Sequence, residues 1–481
     1  MSDFIHNKRS HGIVIFEDTI KGATNFIIPF IIAFLPALRS GKLGGVIVTL
    51  AIFMAFFGLN IIYSIAAWFF KTYSIENEVF TLRYGVFVKK SREIPIQKII
   101  TFHEMQTLTQ RLFKAWTIKL DTGSSMLNQT EVTLVAAQED LPIIRTLLKP
   151  IQNIDGEEAT NNNKPSSEVV YRSRTSSLIK MGLTSNALFA GLALILSLFQ
   201  FFSDFIDNDQ LLKYAENTIK SFALKVTLGL FLFVFLALII YSIVSLLVAA
   251  ATTLIKYHDF KILKDKDTLV IQYGLLKRNS FSIAERKIHA IYLKQSFLRQ
   301  ILGLATVHIE SIGYGNEKGE EALLIPLIKL TEVHSQLSCI LSDYRMPAPH
   351  ERVPKRSLRR FILSALILPL LLIIPISIIY PLGFLSLLFV PFFLVSGVLQ
   401  YKNSGIAWND KFLYMGYGGF TRVFAQVKRK GIQSVIKKAT PFQRAAGLFT
   451  LNISIQGTIF GKVLAVKHLD EALFEDTRKL V

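Results

Sequence analysis

The chain has 481 residues, 51% of them hydrophobic, and a mean hydropathy of +0.41, which excludes an ordinary soluble protein and leaves room for several domains. A formal charge of +19 makes whatever lies outside lipid strongly basic and favours anionic partners such as membrane lipid headgroups; nucleic acid is not expected, because DNA binders are seldom threaded repeatedly through a membrane. A single cysteine, Cys339, excludes an intramolecular disulfide, a cysteine-ligated zinc site and an iron–sulfur cluster within one chain.

The first residues carry Asp3, Glu17 and Asp18 ahead of a long apolar run and lack a small-residue cleavage site, so a retained membrane helix is expected rather than a removed signal peptide. About 20 largely apolar residues cross a bilayer core. Six such stretches occur in three pairs, at 23–38 and 43–70, 179–203 and 222–255, and 361–379 and 381–399. Short connections within each pair predict hairpins whose outer ends lie on one side. Pro29 and Pro36 in the first pair, and Pro369, Pro375, Pro381 and Pro391 in the third, are tolerable in membrane helices, with kinks, because neighbouring helices can satisfy the freed carbonyls.

The hairpin tips hold Arg39, Lys42, Lys213, Lys220 and Lys225, whereas the other 49 of the 54 Lys and Arg lie on the opposite side. The positive-inside rule therefore predicts both termini and all three large segments on the cytoplasmic side of a cell membrane. Lys355, Arg356, Arg359 and Arg360, directly before the third hairpin, read as part of this topological signal. The stretch from Gln152 to Ser167 has almost no apolar content and reads as a linker, and a second joint runs from Met346 to Pro354.

The large segments repeat one another without a gap from Tyr84, Tyr273 and Tyr417. Four columns are identical: these tyrosines; Gly85, Gly274 and Gly418; Ile99, Ile288 and Ile432; and Thr117, Thr306 and Thr450. Lys89, Arg278 and Arg422 keep a basic column. Ahead of each Tyr-Gly, ENEVFTLRYG, DKDTLVIQYG and NDKFLYMGYG place polar residues before an alternating segment, which predicts turn, strand and turn. Alternation returns in TIKLDT, TVHIES and TLNISI, and each unit ends in a helical pattern.

The unit resembles the bacterial pleckstrin-homology-like membrane proteins of the YdbT type, and the resemblance covers nearly the whole chain. It implies a membrane α + β protein with six transmembrane helices as three hairpins, each followed by a cytoplasmic PH-like split seven-strand β-barrel with a C-terminal helix. The expected units are an N-terminal segment with hairpin (1–71), a PH-like domain (72–150), a linker (151–178), a hairpin (179–256), a second domain (257–345), a linker (346–360), a hairpin (361–400) and a third domain (401–481). Two departures stand out: the glycine kept as Gly303 and Gly447 is Lys114 in the first copy, and the proline before the shared isoleucine survives only as Pro95.

Arg111, Arg299 and Arg444 belong to an aligned polar pair, which reads either as a headgroup-binding corner in each barrel or as a solvated pair that also caps a short helix. Lys428, Arg429 and Lys430 form the densest basic run of the last domain, either drawn to an anionic surface or lining a solvated strand edge. Cys339 lies in an apolar run and reads as a small core residue. His289 and His308 read as strand-surface residues, and no histidine set has metal-ligand spacing. The segment 313–320 reads as a hairpin turn.

These residues offer no nucleophile, metal site or paired carboxylates held together, so no enzyme activity, metal or cofactor is expected. The preferred expectation is a non-enzymatic scaffold or sensor whose domains bind a protein, such as a same-family membrane protein, or anionic membrane lipid, in envelope stress or defence against antimicrobial peptides. A subunit of a transporter or exporter is the alternative, which would need polar residues converging within the helices.

Overall fold

Strands of five to eight alternating residues cannot bury their apolar face alone, so each repeat must bring its strands together around a core. The computed structural model describes all residues except 1–4, 40, 100, 122–131, 149–167, 186–222, 312–321, 345–350, 380–382, 456–461 and 475–481. The first unit begins with β1 (Ile5–Arg9), leaves as the helices α1 (Ile13–Arg39) and α2 (Leu43–Phe69), and returns as β2 (Thr72–Glu76), β3 (Val79–Tyr84) and β4 (Lys90–Pro95). It continues with β5 (Thr101–Gln106), α3 (Leu108–Leu112), β6 (Ala115–Asp121), β7 (Val132–Ala137) and the closing α4 (Leu141–Leu148).

The second unit follows the same plan: β8 (Glu168–Arg172), α5 (Thr175–Leu183), α6 (Ala223–Lys256), β9 (Lys261–Asp265), β10 (Thr268–Tyr273), β11 (Arg278–Ala284), β12 (Ile288–Gln295), α7 (Phe297–Ile301), β13 (Leu304–Ser311), β14 (Leu323–Lys329) and α8 (Val333–Ile340). The third runs β15 (Glu351–Arg352), α9 (Leu358–Ile379), α10 (Val390–Asn403), β16 (Gly405–Trp408), β17 (Phe412–Tyr417), β18 (Arg422–Lys428), β19 (Ile432–Lys438), α11 (Pro441–Arg444), β20 (Leu448–Ile455) and β21 (Lys462–Asp470). Seven strands per unit split into a four-strand half and a three-strand half.

Strand pairing places the hairpins differently from the sequence expectation. β1 pairs with β2, β8 with β9 and β15 with β16, all antiparallel, so each helical pair is an insertion after the first strand rather than a leader to the domain. The segments 151–178 and 346–360, read as linkers, thus each contain a sheet strand, while the polar stretch 152–167 itself lies outside the described residues. Strands of two to five residues bounded by polar sequence carry too little periodicity to be seen unaided.

Four described helices, rather than six, are long and apolar enough to cross a membrane: Ile13–Arg39, Leu43–Phe69, Ile239–Lys256 and Lys355–Ile379. Of the expected stretch 179–203 only residues 179–185 are among those described. The stretch 381–399 is broken into a 3-10 segment, Gly383–Phe389, and the 14-residue α10, with Pro391 in its first turn. At 1.5 Å per residue α10 reaches about 21 Å, short of a bilayer core. Close crossings hold two pairs together: a Cβ on Gly182 would meet Ala250 Cα at 2.5 Å, and one on Gly397 would meet Ile362 Cα at 2.8 Å.

The half-sheets do not close on their own unit. β5 pairs with β11 to give one seven-strand sheet, β7-β6-β5-β11-β10-β9-β8, and β12 pairs with β18 to give another, β14-β13-β12-β18-β17-β16-β15. The three units are therefore joined by continuous hydrogen-bonded ladders. Each keeps its own core, around Phe80, Ile118 and Ile144, around Phe281, Val307 and Leu337, and around Phe449, Leu451 and Val466. α4 and α8 close the first two cores; the third ends, among the described residues, in a 3-10 turn, Glu471–Leu473. Cys339 is exposed rather than in the core, because Val333, Leu337 and Ile340 occupy the buried face of α8.

The identical glycines hold the turn after β3, β10 and β17. Their φ values are +111°, +113° and +99°, and a Cβ would lie within about 2 Å of the carbonyl oxygen of Val88, Lys277 or Thr421. At the other glycine column the conformation persists where the residue does not: Lys114 has φ +52°, against +63° for Gly303 and +59° for Gly447. Lys114→Gly should thus relieve strain and stabilise the first unit by about 1 kcal/mol, read as a raised unfolding transition of the full chain, whereas Gly303→Ala should lower it.

Candidate functional site

A hydroxyl preceding the short helix can cap it, and Thr107 and Thr440 each do so with the glutamine three residues on in a reciprocal capping box. This Thr-x-x-Gln spacing is the sequence signal of the cap. The same glutamines explain the invariant threonines. Gln110 Nε2 donates to Thr117 Oγ1 at 2.8 Å, and Gln443 Nε2 to Thr450 Oγ1 at 2.9 Å. In the second unit Arg299 takes this place, with Nη1 3.4 Å from Thr306 Oγ1.

From this inner position the side chain reaches the inserted helices. Gln110 donates to the Glu17 carboxylate on α1 at 2.8 and 3.0 Å. Arg299 is buried and donates to Thr184 Oγ1 at 2.9 Å and Met181 O at 2.8 Å, at the end of α5. Gln443 instead meets His468 Nδ1 at 3.0 Å, and the ring of His468 packs edge-to-face on Phe361 of α9. Arg299 is therefore a buried tie between barrel and hairpin, not a headgroup corner.

The outer residue of the polar pair reaches across to the next unit. Arg111 Nη2 donates to Leu275 O at 2.9 Å, and Gln300 Nε2 donates to Phe420 O at 2.8 Å; both acceptors follow a conserved Tyr-Gly. Arg444 stands exposed, its side chain without a hydrogen bond or ion pair among the described residues. The three arginines expected to play one part are thus not brought together.

At the first of these junctions a cavity of about 970 Å³ opens between the first and second units. Glu104, Arg111, Trp116 and Arg145 line it from one side, and Arg172, Arg174, Lys261 and Arg278 are among its residues on the other. Six cations thus face two carboxylates, Glu104 and Asp259. Arg145 on α4 grips buried Glu104 through two donors, and Arg172 forks onto Asp259 at 2.7 and 3.1 Å. Lys261 lies 3.8 Å from Asp259. Arg111, Arg174 and Arg278 make no ion pair among the described residues, and Arg111 Nε is buried without a hydrogen-bond partner.

The cavity also touches the hairpin. Arg174 and Thr175 at the start of α5, Leu178 one turn on, and Leu254 and His258 at the end of α6 all line it. The free N–H groups and positive dipole end of α5 add to the potential. The arrangement is chemically an anion trap with an apolar shoulder: guanidinium donors converge on a space large enough for a headgroup, beside the point where a helix pair leaves the barrel.

The remaining sequence candidates lie elsewhere. Lys428 reaches across the second junction to Asp343 at 3.6 Å and sits 4.9 Å over the Tyr344 ring, while Lys430 is exposed. His308 is buried and hydrogen-bonded to Thr306, not a strand-surface residue, because strand β13 lies between two neighbours and faces the core along most of its length. The segment 313–320 lies outside the described residues. His103, which the sequence did not single out, is buried at the first junction, stacked 3.7 Å from Phe281 and with Nε2 3.4 Å from Asn279 Oδ1.

The profile of a family described as bacterial PH domain matches three times, at residues 27–149, 218–342 and 359–481, and each match leaves out β1, β8 or β15. The UPF0699 transmembrane protein YdbT of Bacillus subtilis (strain 168) is 27% identical over 483 aligned residues, covering 96% of each chain. No solved structure matches.

Burial, reinforced by the charges of Lys119 and Lys277, holds the His103 pKa down to about 3. Unfolded, the imidazole takes up a proton near its ordinary value of about 6.5, whereas the folded junction resists it until about 3. The stability lost is therefore nil above about 6.5 and grows as pH falls below it. The unfolding temperature of the full chain should drop from pH 7 to pH 5, and His103→Gln should make that drop shallower.

Proposed function

The chain belongs to the bacterial PH domain family, with three units of the YdbT type carried on membrane hairpins, and from this we propose that it is a membrane-anchored, non-enzymatic scaffold that holds an anionic lipid headgroup in the cavity between its first two domains. The observation that carries the reading is the group of Arg111, Arg174 and Arg278, three guanidiniums facing one cavity without carboxylate partners among the described residues. The ends of α5 and α6 line this cavity, and the apolar span Ile239–Lys256 within α6 supports a ligand drawn from the membrane surface. The heavily basic domains fit the cytoplasmic face of a bacterial membrane, where anionic lipid is concentrated. The family resemblance favours binding over chemistry, although a fold alone names no ligand.

Full-length protein released from nanodiscs of mixed phosphatidylglycerol and phosphatidylcholine should retain phosphatidylglycerol selectively in native mass spectrometry. Two lost contacts at about 1 kcal/mol each should lower that retention roughly thirtyfold in Arg174→Gln, Arg278→Gln protein. The double substitution Lys98→Gln, Lys430→Gln, which removes exposed charges away from the cavity, should leave it intact. Equal retention by both double variants would remove the cavity from the reading.

A further inference from the structure

The two junctions inside the chain are built to one register. Gln106 pairs with Arg278 and Thr101 with Ile283 at the first; Gln295 pairs with Arg422 and Ala290 with Val427 at the second. In repeat terms these are the same positions, six residue pairs long in both cases. Each ladder is accompanied by the outer polar residue donating to the turn after Tyr-Gly, and at the second junction by Phe297 packed edge-to-face on Phe420 at 5.6 Å.

Both halves of such a junction remain over at the ends of the array. β4 is the outer strand of the first sheet and β19 that of the last. Beside β4, in the turn that receives Arg111 or Gln300 elsewhere, Phe87 is 90% exposed and Val88 67%. Beside β19, Phe442 is 78% exposed, and Arg444 is exposed with no partner among the described residues.

We infer that these ends join in trans, β19 of one copy pairing antiparallel with β4 of a second copy of this chain in the register of the internal junctions. The register sets Ser434 opposite Ile94, Val435 opposite Glu93, Ile436 opposite Arg92, Lys437 opposite Ser91 and Lys438 opposite Lys90. Arg444 then donates to the Val86 carbonyl, as Arg111 does to that of Leu275, and Phe442 covers Phe87. The contact joins unlike surfaces, so it propagates head to tail and yields a ring or a row of membrane-anchored domains. It does not depend on what the cavity binds.

Charged residues and a proline on a sheet edge ordinarily discourage pairing. Here Pro95 falls one position beyond the six-pair ladder, where Ala284 and Lys428 stand at the internal junctions, so no donor used by the ladder is missing. The Lys438–Lys90 opposition weakens association by at most about fivefold. It also marks the register, because these two lysines meet in this alignment alone.

The test uses full-length protein with Cys339→Ser. Copies carrying Ser91→Cys and copies carrying Lys437→Cys, with different affinity tags, are co-reconstituted and oxidised. A mixed disulfide is expected, well above that of Ser91→Cys with itself. Lys438→Glu on the Lys437→Cys copies should raise its yield severalfold, and Phe87→Glu on the Ser91→Cys copies, a change at a fully solvated position, should lower it severalfold. If no mixed disulfide forms while circular dichroism shows folded protein, or if it forms with no response to either substitution, the inference fails.

Discussion

A β-sheet edge is a row of unpaired N–H and C=O groups, and the satisfaction of these edges is the constraint on which the rest of this chain depends. A split barrel leaves its two half-sheets diverging, and here the outer strand of the three-strand half does not return to its own unit. It pairs with the four-strand half of the next one, β5 with β11 and β12 with β18. With about 1 kcal/mol net from a typical hydrogen bond, such a ladder resists hinge motion more effectively than a loose interdomain contact. The basic cavity exists because of this: Glu104, Arg111 and Arg145 come from one unit and Arg172, Arg174 and Arg278 from the next, so a fixed junction is what fixes the shape of the cavity.

The second consequence concerns the membrane. Because each helical pair is inserted between two strands that pair with each other, the hairpin is held at both ends by one sheet. The buried ties from Gln110 to Glu17 and from Arg299 to Thr184 and Met181 hold it a third time. A buried guanidinium is costly unless its donors are met, so the end of α5 and the barrel corner are bound to one geometry. α5 is therefore fixed to the barrel at its end, while its start forms part of the cavity wall, where Thr175 and Leu178 sit.

Much of the unit was legible because it relies on backbone demands. Gly85, Gly274 and Gly418 show in the sequence since no other residue accepts their turn, and the threonines show since each receives one buried donor. The strands before the hairpins were not legible: Glu351–Arg352 is two residues long, and its partner lies more than fifty positions away across a helical pair. Nor were the joined sheets, because the residues opposite one another at a junction share no local pattern. The site was half legible. Arg111 stood out as a basic residue in the repeat, but Arg145, Arg174 and Arg278 converge with it only through the fold.

The exchange of residues between repeats explains why the two junctions differ. In the first and third units the inner residue is glutamine and the outer one arginine, whereas in the second the order is reversed, Arg299 inside and Gln300 outside. Where the hairpin offers an acceptor that is itself charged, Glu17, a neutral amide suffices within the corner. Where it offers the Met181 carbonyl and the Thr184 hydroxyl, the several donors of a guanidinium satisfy them together. That choice places the cation of the second unit inside the fold and leaves an amide to reach the Phe420 carbonyl. The ladder is the same at both junctions, but only the first directs its arginine outward, toward Arg174 and Arg278. One barrel-to-barrel joint thereby keeps an outward guanidinium, whereas at its repeat the guanidinium is drawn inward by the acceptors of the inserted helix.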